Sequence, residues 1–226
     1  IQLMLQIIKE NRKVTILSFQ ANIYAIILAK IFNIKIISRS NSSPSGWSQN
    51  TLKKIIFKFF LKKADLTIVN SLEFKQEMFD KFAVKARCIY NPFDRKYIKN
   101  KIISSKKNIF QTKKNTLKIL SVGRLTQQKD FMTVLRAINH IKNAINLKLI
   151  LIGKGSEKYK LKNFIDNNQL NKKIFLAGYK KNPYKYFKDT DIFVLSSKFE
   201  GLPNVLLEAQ FFKKFIISSN CPTGQK

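Results

Sequence analysis

The chain has 226 residues, of which 43 are Lys or Arg and 13 are Asp or Glu, giving a formal charge of +30, with apolar residues at 45% and two cysteines. An apolar fraction near one half belongs to chains with a packed core and excludes a disordered, collagen-like or disulfide-stapled protein. Cys88 and Cys221 lie far apart with no CxxC and no His beside them, so neither a disulfide framework nor a zinc site is expected, and a reducing compartment is the default.

In chain order, short apolar runs rich in Ile and Val predict strands at 14–19, 34–38, 66–70, 86–90, 117–122, 147–152, 173–177, 192–196 and 215–218. Helical spacing between them predicts helices over 21–32, 47–63, 71–81, 130–143, 157–167, 184–188 and 204–212. The strands are continuously apolar rather than alternating, as when helices cover both faces of a sheet, so the pattern reads as repeated βα units around parallel sheets. The rhythm breaks between Asn91 and Asn115, where an Asn-Pro turn leads into Lys-, Ser- and Asn-rich sequence without a clear period. Two α/β domains are therefore expected, residues 1–94 and 117–226, joined by a basic linker over 95–116. The weakly charged run 14–29 contains Ser18, Gln20 and Asn22 and falls short of the roughly 20 apolar residues of a membrane span, so no transmembrane helix is expected. The chain opens at Ile1 without Met, and a fragment is expected.

The basic excess is spread out: residues 1–100 carry 18 basic and 6 acidic groups, 101–116 carry 5 and none, and 117–226 carry 20 and 7. Such a chain attracts phosphates, nucleic acids or an anionic leaflet. Only six of the basic residues are Arg, whereas reading DNA sequence leans on the bidentate Arg fork. Lys richness as a composition bias, contact with an anionic membrane surface and nucleic-acid binding all stay open on charge alone. The helix from Trp47 to Lys63 interleaves Phe57, Phe59 and Phe60 with Lys53, Lys54, Lys58, Lys62 and Lys63. It suits an anionic membrane, or a helix whose Phe residues face its own sheet while its Lys residues are solvated.

Three strand ends carry candidate chemistry. After 117–122 comes Gly123-Arg124-Leu125 with Lys129, where Gly lets backbone approach an anion and the two cations could clamp a diphosphate. After 147–152 comes Gly153-Lys154-Gly155, a Gly-x-Gly without the third glycine of the dinucleotide fingerprint, equally explained by a tight βα turn. After 192–196 comes Ser197-Lys198-Phe199-Glu200-Gly201-Leu202-Pro203-Asn204, with Pro203 near a helix start and the N–H groups of Leu202, Asn204 and Val205 placed to favour a phosphate. Glu200 and Glu208 are eight residues apart, which suits two parts of one extended polar ligand better than a close acid/base dyad; a loop charge and a helix-surface carboxylate are the plainer alternatives.

Taken together, these residues resemble glycosyltransferase family 4, the retaining enzymes of GT-B fold also described by a glycosyl transferases group 1 domain. The similarity over residues 117–226 runs through Gly123-Arg124-Leu125 with Lys129, Gly153-x-Gly155, Phe175-Leu176-x-Gly178-Tyr179, Asp191 and Glu200-x7-Glu208. A looser similarity over residues 34–94 runs through Ala64-Asp65, Val69-Asn70-Ser71 and Ile89-Tyr90-Asn91-Pro92-Phe93-Asp94. The resemblance implies two Rossmann-like parallel-sheet domains, the N-terminal one incomplete, and transfer of a sugar from a nucleoside-diphosphate sugar to a glycan or lipid-linked acceptor in cell-surface polysaccharide synthesis on the cytoplasmic side of a membrane. It implies that Arg124 and Lys129 hold the donor diphosphate, Glu208 the ribose hydroxyls and Glu200 the transferred sugar, with backbone around Gly178 and Tyr179 at the base. No cofactor and no metal are expected, because protein cations and a helix terminus would neutralise the diphosphate; the co-substrate is expected to be a UDP-sugar. Many members carry a His in the first domain, whereas the one His here, His140, is expected on a helix surface. At the corresponding loop this chain offers Arg39 and Asn41 as acceptor contacts. A basic Rossmann-like nucleic-acid-binding module and an inactive transferase-like fragment are the rival readings.

Overall fold

The computed structural model describes Glu10 and residues 14–19, 21–41, 50–103 and 109–221. All nine apolar runs become strands, and every pairing among them is parallel. Contacts divide the chain into one unit running to Asn91 together with Phe199–Leu202, and a second made of Pro92–Lys198 and Pro203–Cys221.

In the first unit β1 (Thr15–Ser18), β2 (Lys35–Arg39), β3 (Leu66–Val69) and β4 (Ala86–Cys88) lie in the order β1-β2-β3-β4. The crossovers are α1 (Asn22–Ile31), α2 (Thr51–Leu61) and α3 (Leu72–Phe82). Their core gathers Ile26, Ala29, Ile36, Val69, Phe74, Met78 and Phe82, all fully buried. Local chemistry sets the element ends. Ser71 Oγ accepts from the Phe74 amide at 3.1 Å and caps α3, which stabilises it by about 1 kcal/mol. Asp65 accepts from the Ile36 amide at 2.8 Å, tying the turn before β3 to β2, and that bond holds its carboxyl below the usual range. Of the expected helix 47–63, Thr51–Leu61 is helical, and residues 47–49 lie outside the described residues.

In the second unit β5 (Leu117–Val122), β6 (Leu147–Ile152), β7 (Ile174–Gly178), β8 (Ile192–Leu195) and β9 (Phe215–Ser218) lie in the order β7-β6-β5-β8-β9. The continuous apolar runs have a direct cause in β6. Leu149 and Leu151 pack with α5 (Phe131–Ile141) and α6 (Lys158–Asn167), whereas Ile150 and Ile152 pack with α7 (Tyr184–Asp189) and α8 (Asn204–Phe211). Successive side chains point to opposite faces, so a strand covered on both sides must be apolar throughout. The chain winds outward from β5 through β6 and β7, then returns to β5's other flank with β8. That reversal puts the topological switch point at the carboxyl ends of β5 and β8, the place where open α/β sheets bind ligands.

The stretch 95–116, expected to be an aperiodic linker, contains α4 (Arg95–Ile103). The Asp94 carboxylate accepts from the Tyr97 amide at 2.8 Å and caps the first turn. Ile98 is buried while Lys96 and Lys99 beside it are exposed, so the polar residues around it hide the helical period. By contacts α4 belongs to the second unit, where Tyr97 meets Tyr184 of α7 edge to face at 6.3 Å.

Candidate functional site

The loops after β5, β6 and β7 form one layer joined by backbone bonds. The Gly123 amide donates to the Ile152 carbonyl at 2.9 Å, Leu125 to Lys154 at 3.0 Å, Glu157 to Leu125 at 2.9 Å and Gly153 to Gly178 at 3.0 Å. A Cβ on Gly153 would lie 1.8 Å from the Gly123 oxygen, and one on Gly155 would lie 2.3 Å from the Leu125 oxygen. Gly153-x-Gly155 is thus explained by packing of loop on loop: only glycine lets the two backbones approach this closely. Gly178 differs. It has open space around it but a φ of +68°, so its backbone conformation favours glycine.

This layer positions both expected cations. The stem of Lys129 passes over Gly123, whose built Cβ would stand 3.5 Å from Lys129 Cδ and Cε. The Ser196 hydroxyl donates to the Lys129 carbonyl at 2.8 Å, and the Lys198 amide donates to the Gln128 carbonyl at 2.8 Å, so the ends of β5 and β8 are fastened together. Arg124 is exposed beside them, its Nη2 3.4 Å from Gln128 Oε1. Two buried hydroxyl oxygens in the same loops, Thr126 Oγ1 and Ser197 Oγ, have no hydrogen-bond partner. The fastened loops therefore hold a cation pair and unused polar capacity at one sheet edge.

Glu208 lies half-buried on α8, elsewhere on this unit. α8 begins after Pro203, which supplies no capping side chain to the first turn containing Asn204 and Val205. Asn204 and Glu208, one turn apart on α8, line an open cleft of about 200 Å³ with Phe93, Asp94, Tyr97 and Tyr184. Burial pushes the Glu208 carboxyl up to about 7, opposed by a hydrogen bond from the Tyr184 hydroxyl. Burial raises Tyr184 as well, followed by the nearby Glu208 charge. Glu208 is half-buried, so it is neither a fully exposed helix-surface carboxylate nor a closed-off one. Sequence reasoning missed Tyr184, Tyr97 and Asp94 as neighbours of Glu208: the Asn-Pro-Phe-Asp turn was visible, but no signal in it pointed to the face of α8.

Glu200, in the loop between β8 and α8, is buried, at 6% exposure. In the first unit, a Cβ on the adjacent Gly201 would lie 2.5 Å from the Asn41 oxygen and 2.7 Å from Asn70 Oδ1, and the Leu202 carbonyl accepts from Asn91 Nδ2 at 3.3 Å. Arg39 and Asn41 bond to each other, Nε to Oδ1 at 3.2 Å. Arg39 Nη2 also donates to the Ile89 carbonyl at 3.3 Å and to Asn91 Oδ1 at 2.9 Å, so it braces the carboxyl ends of β2 and β4. Tyr179 is exposed, with Lys154 Nζ 5.6 Å from its ring centre. His140 is exposed on the last turn of α5, and Cys88 and Cys221 are both free thiols. Among the described residues no group of three or more His, Cys, Asp or Glu gathers to hold a metal ion, and no helix is long and apolar enough to cross a membrane.

Residues 103–226 match the family described as glycosyl transferases group 1. The chain belongs to this glycosyltransferase family. A relative from Methanocaldococcus jannaschii, the uncharacterized glycosyltransferase MJ1059, is 32% identical over 217 residues, spanning 89% of this chain and 53% of the relative. The N-acetylgalactosamine-N,N'-diacetylbacillosaminyl-diphospho-undecaprenol 4-alpha-N-acetylgalactosaminyltransferase of Campylobacter jejuni is 30% identical over 215 residues, spanning 90% of this chain and 56% of the relative. The chain thus spans about half the length of these curated relatives. Among solved structures, Anabaena Alr3699/HepE in complex with UDP-glucose superposes with a TM-score of 0.76 at 20% identity, over 97% of this chain and 63% of that one. The two parallel-sheet units of this group 1 glycosyltransferase chain have the GT-B fold.

Proposed function

We propose that this chain is part of a retaining glycosyltransferase that moves a sugar from a nucleoside-diphosphate sugar, a UDP-sugar, to a glycan or lipid-linked acceptor at the cytoplasmic face of a membrane. The observation that carries this reading is the fastened edge of the second sheet, where Arg124 and Lys129 flank Gly123 on loops held together by backbone bonds. When the bond between the sugar and its phosphate breaks, the electron pair stays on the diphosphate. Arg124 and Lys129 stabilise that growing charge from fixed positions, Arg by paired hydrogen bonds and Lys as a point charge. Glu208 accepts from the ribose hydroxyls, Glu200 contacts hydroxyls of the transferred sugar, and backbone at Gly178 and Tyr179 meets the base. The backbone N–H groups of Leu202, ahead of α8, and of Asn204 and Val205 in its first turn serve the phosphates. Arg39 and Asn41 serve the acceptor side. Protein cations suffice to neutralise the diphosphate in this scheme, which uses no metal or other cofactor.

The relatives' names support the substrate classes. Besides the Campylobacter enzyme, they include an Escherichia coli UDP-Gal:alpha-D-GlcNAc-diphosphoundecaprenol alpha-1,3-galactosyltransferase, 33% identical over 109 residues, and a Staphylococcus aureus capsular polysaccharide biosynthesis glycosyltransferase, 28% identical over 211 residues. Cell-surface polysaccharide synthesis is the process we propose, with an anionic membrane surface as a partner and no nucleic acid. The two glutamates provide the test. Glu208→Ala weakens binding of the nucleoside diphosphate itself, while Glu200→Ala leaves that binding nearly intact and reduces sugar transfer. Equal or reversed effects contradict the assigned roles.

A further inference from the structure

α2 has an apolar stripe on its outer side. Leu52, Ile55, Ile56 and Phe59 are exposed by 66%, 61%, 42% and 56%, and their spacing of three, four and seven residues places them in one row along the helix. The inner side is supplied by Phe57, which packs against the core, and by the buried Leu61. Phe residues facing the sheet therefore account for only part of this helix. Scattered exposed apolar residues are ordinary, but a continuous row needs a partner.

Lysines flank the row. Lys53, Lys54, Lys58, Lys62 and Lys63 are all exposed, there is no acidic residue from Thr51 to Ala64, and Lys63 Nζ sits 4.3 Å above the Phe59 ring centre. Composition bias does not produce this by itself, since α3 in the same unit carries Glu73, Glu77 and Asp80 against Lys75 and Lys81. We infer that the outer face of α2 docks on a bilayer containing anionic lipid, the row of Leu52, Ile55, Ile56 and Phe59 entering the acyl boundary and the flanking lysines meeting the head groups. Each part of the face has its counterpart in that occupant. A second copy of the chain is a poorer fit, because a symmetric contact along α2 would bring the two sets of flanking lysines together. Nucleic acid would meet the lysines and leave the aliphatic row unused.

The placement deepens the proposed membrane-side transfer and rests on that reading for its purpose. In a βα unit the helix starts at the carboxyl end of the preceding strand. Docking α2 therefore brings that edge of the first sheet, where Arg39 and Asn41 lie, to the membrane that would carry a lipid-linked acceptor.

The test is co-sedimentation of the whole chain with phosphatidylcholine vesicles, with and without about one-third phosphatidylglycerol. Two double variants accompany it, Ile55→Ser with Phe59→Ser and Lys53→Ser with Lys58→Ser. All four positions are exposed, and thermal melting confirms that each variant is folded. The expected result is binding to the anionic vesicles only, weakened about tenfold or more by either double variant and by added salt. Unchanged binding in the Ile55/Phe59 variant would mean general basicity and overturn the proposal. So would absence of vesicle binding together with a concentration-dependent dimer that the same variant abolishes. UDP titration of the same samples separates the two readings: nucleotide binding without vesicle binding sinks the docking face alone, and vesicle binding without nucleotide binding sinks the transferase reading alone.

Discussion

The backbone of Gly153 approaches Gly123 so closely that a Cβ at Gly153 would stand 1.8 Å from the Gly123 carbonyl oxygen. Gly153→Ala must move the loop that carries Arg124, and it is expected to cost about 2–3 kcal/mol, read in denaturant melts, and to weaken nucleotide binding as well. Gly178→Ala provides the comparison. Its surroundings are open and only its φ of +68° is unfavourable, so about 1 kcal/mol is expected.

Glu208 makes stability depend on pH in a defined direction. Its folded value is raised from 4.5 to about 7, so the native state holds a proton that the unfolded chain has released. The group's contribution is complete below pH 4.5 and is lost as pH rises from there through 7, by about 3 kcal/mol at most. Glu208→Gln removes this loss. Relative to the wild type, the variant gains stability between pH 4.5 and 8, measured by urea melts across that range.

Ligand binding follows the opposite course at the same group. If the ionised Glu208 accepts from ribose hydroxyls, UDP affinity rises as pH increases through about 7, and Glu208→Gln flattens that rise. Tyr184→Phe removes the hydrogen bond that opposes the burial effect, so the midpoint of the affinity profile moves to higher pH. A shift to lower pH would contradict the assigned bond.

The strands of the second sheet were legible because that sheet is covered on two faces, which makes runs such as 147–152 apolar throughout. α4 was not, since among its described side chains Ile98 alone is buried and the charged residues around it carry no period. The cation pair could be located from Gly123, Arg124 and Lys129 because glycine at a strand end has a physical purpose. The surroundings of Glu208 could not. They depend on α4 packing beside α7, a contact between segments about 85 residues apart that no local spacing encodes. Arg39 shows the converse: its type suggested a ligand contact, while its bonds to Ile89 and Asn91 give it a bracing role as well.

The central claim is that the edge of the second sheet binds a nucleoside diphosphate through Arg124. Calorimetric titration of the chain with UDP, GDP, ADP and a short DNA duplex at two salt concentrations tests it most directly. Arg124 is exposed and bonds Gln128 at 3.4 Å, so Arg124→Ala is expected to leave the melting temperature nearly unchanged. Saturable binding with a preference for UDP, weakened about tenfold or more in Arg124→Ala, is expected. Salt-steep binding to DNA with no preference among the nucleotides would contradict it.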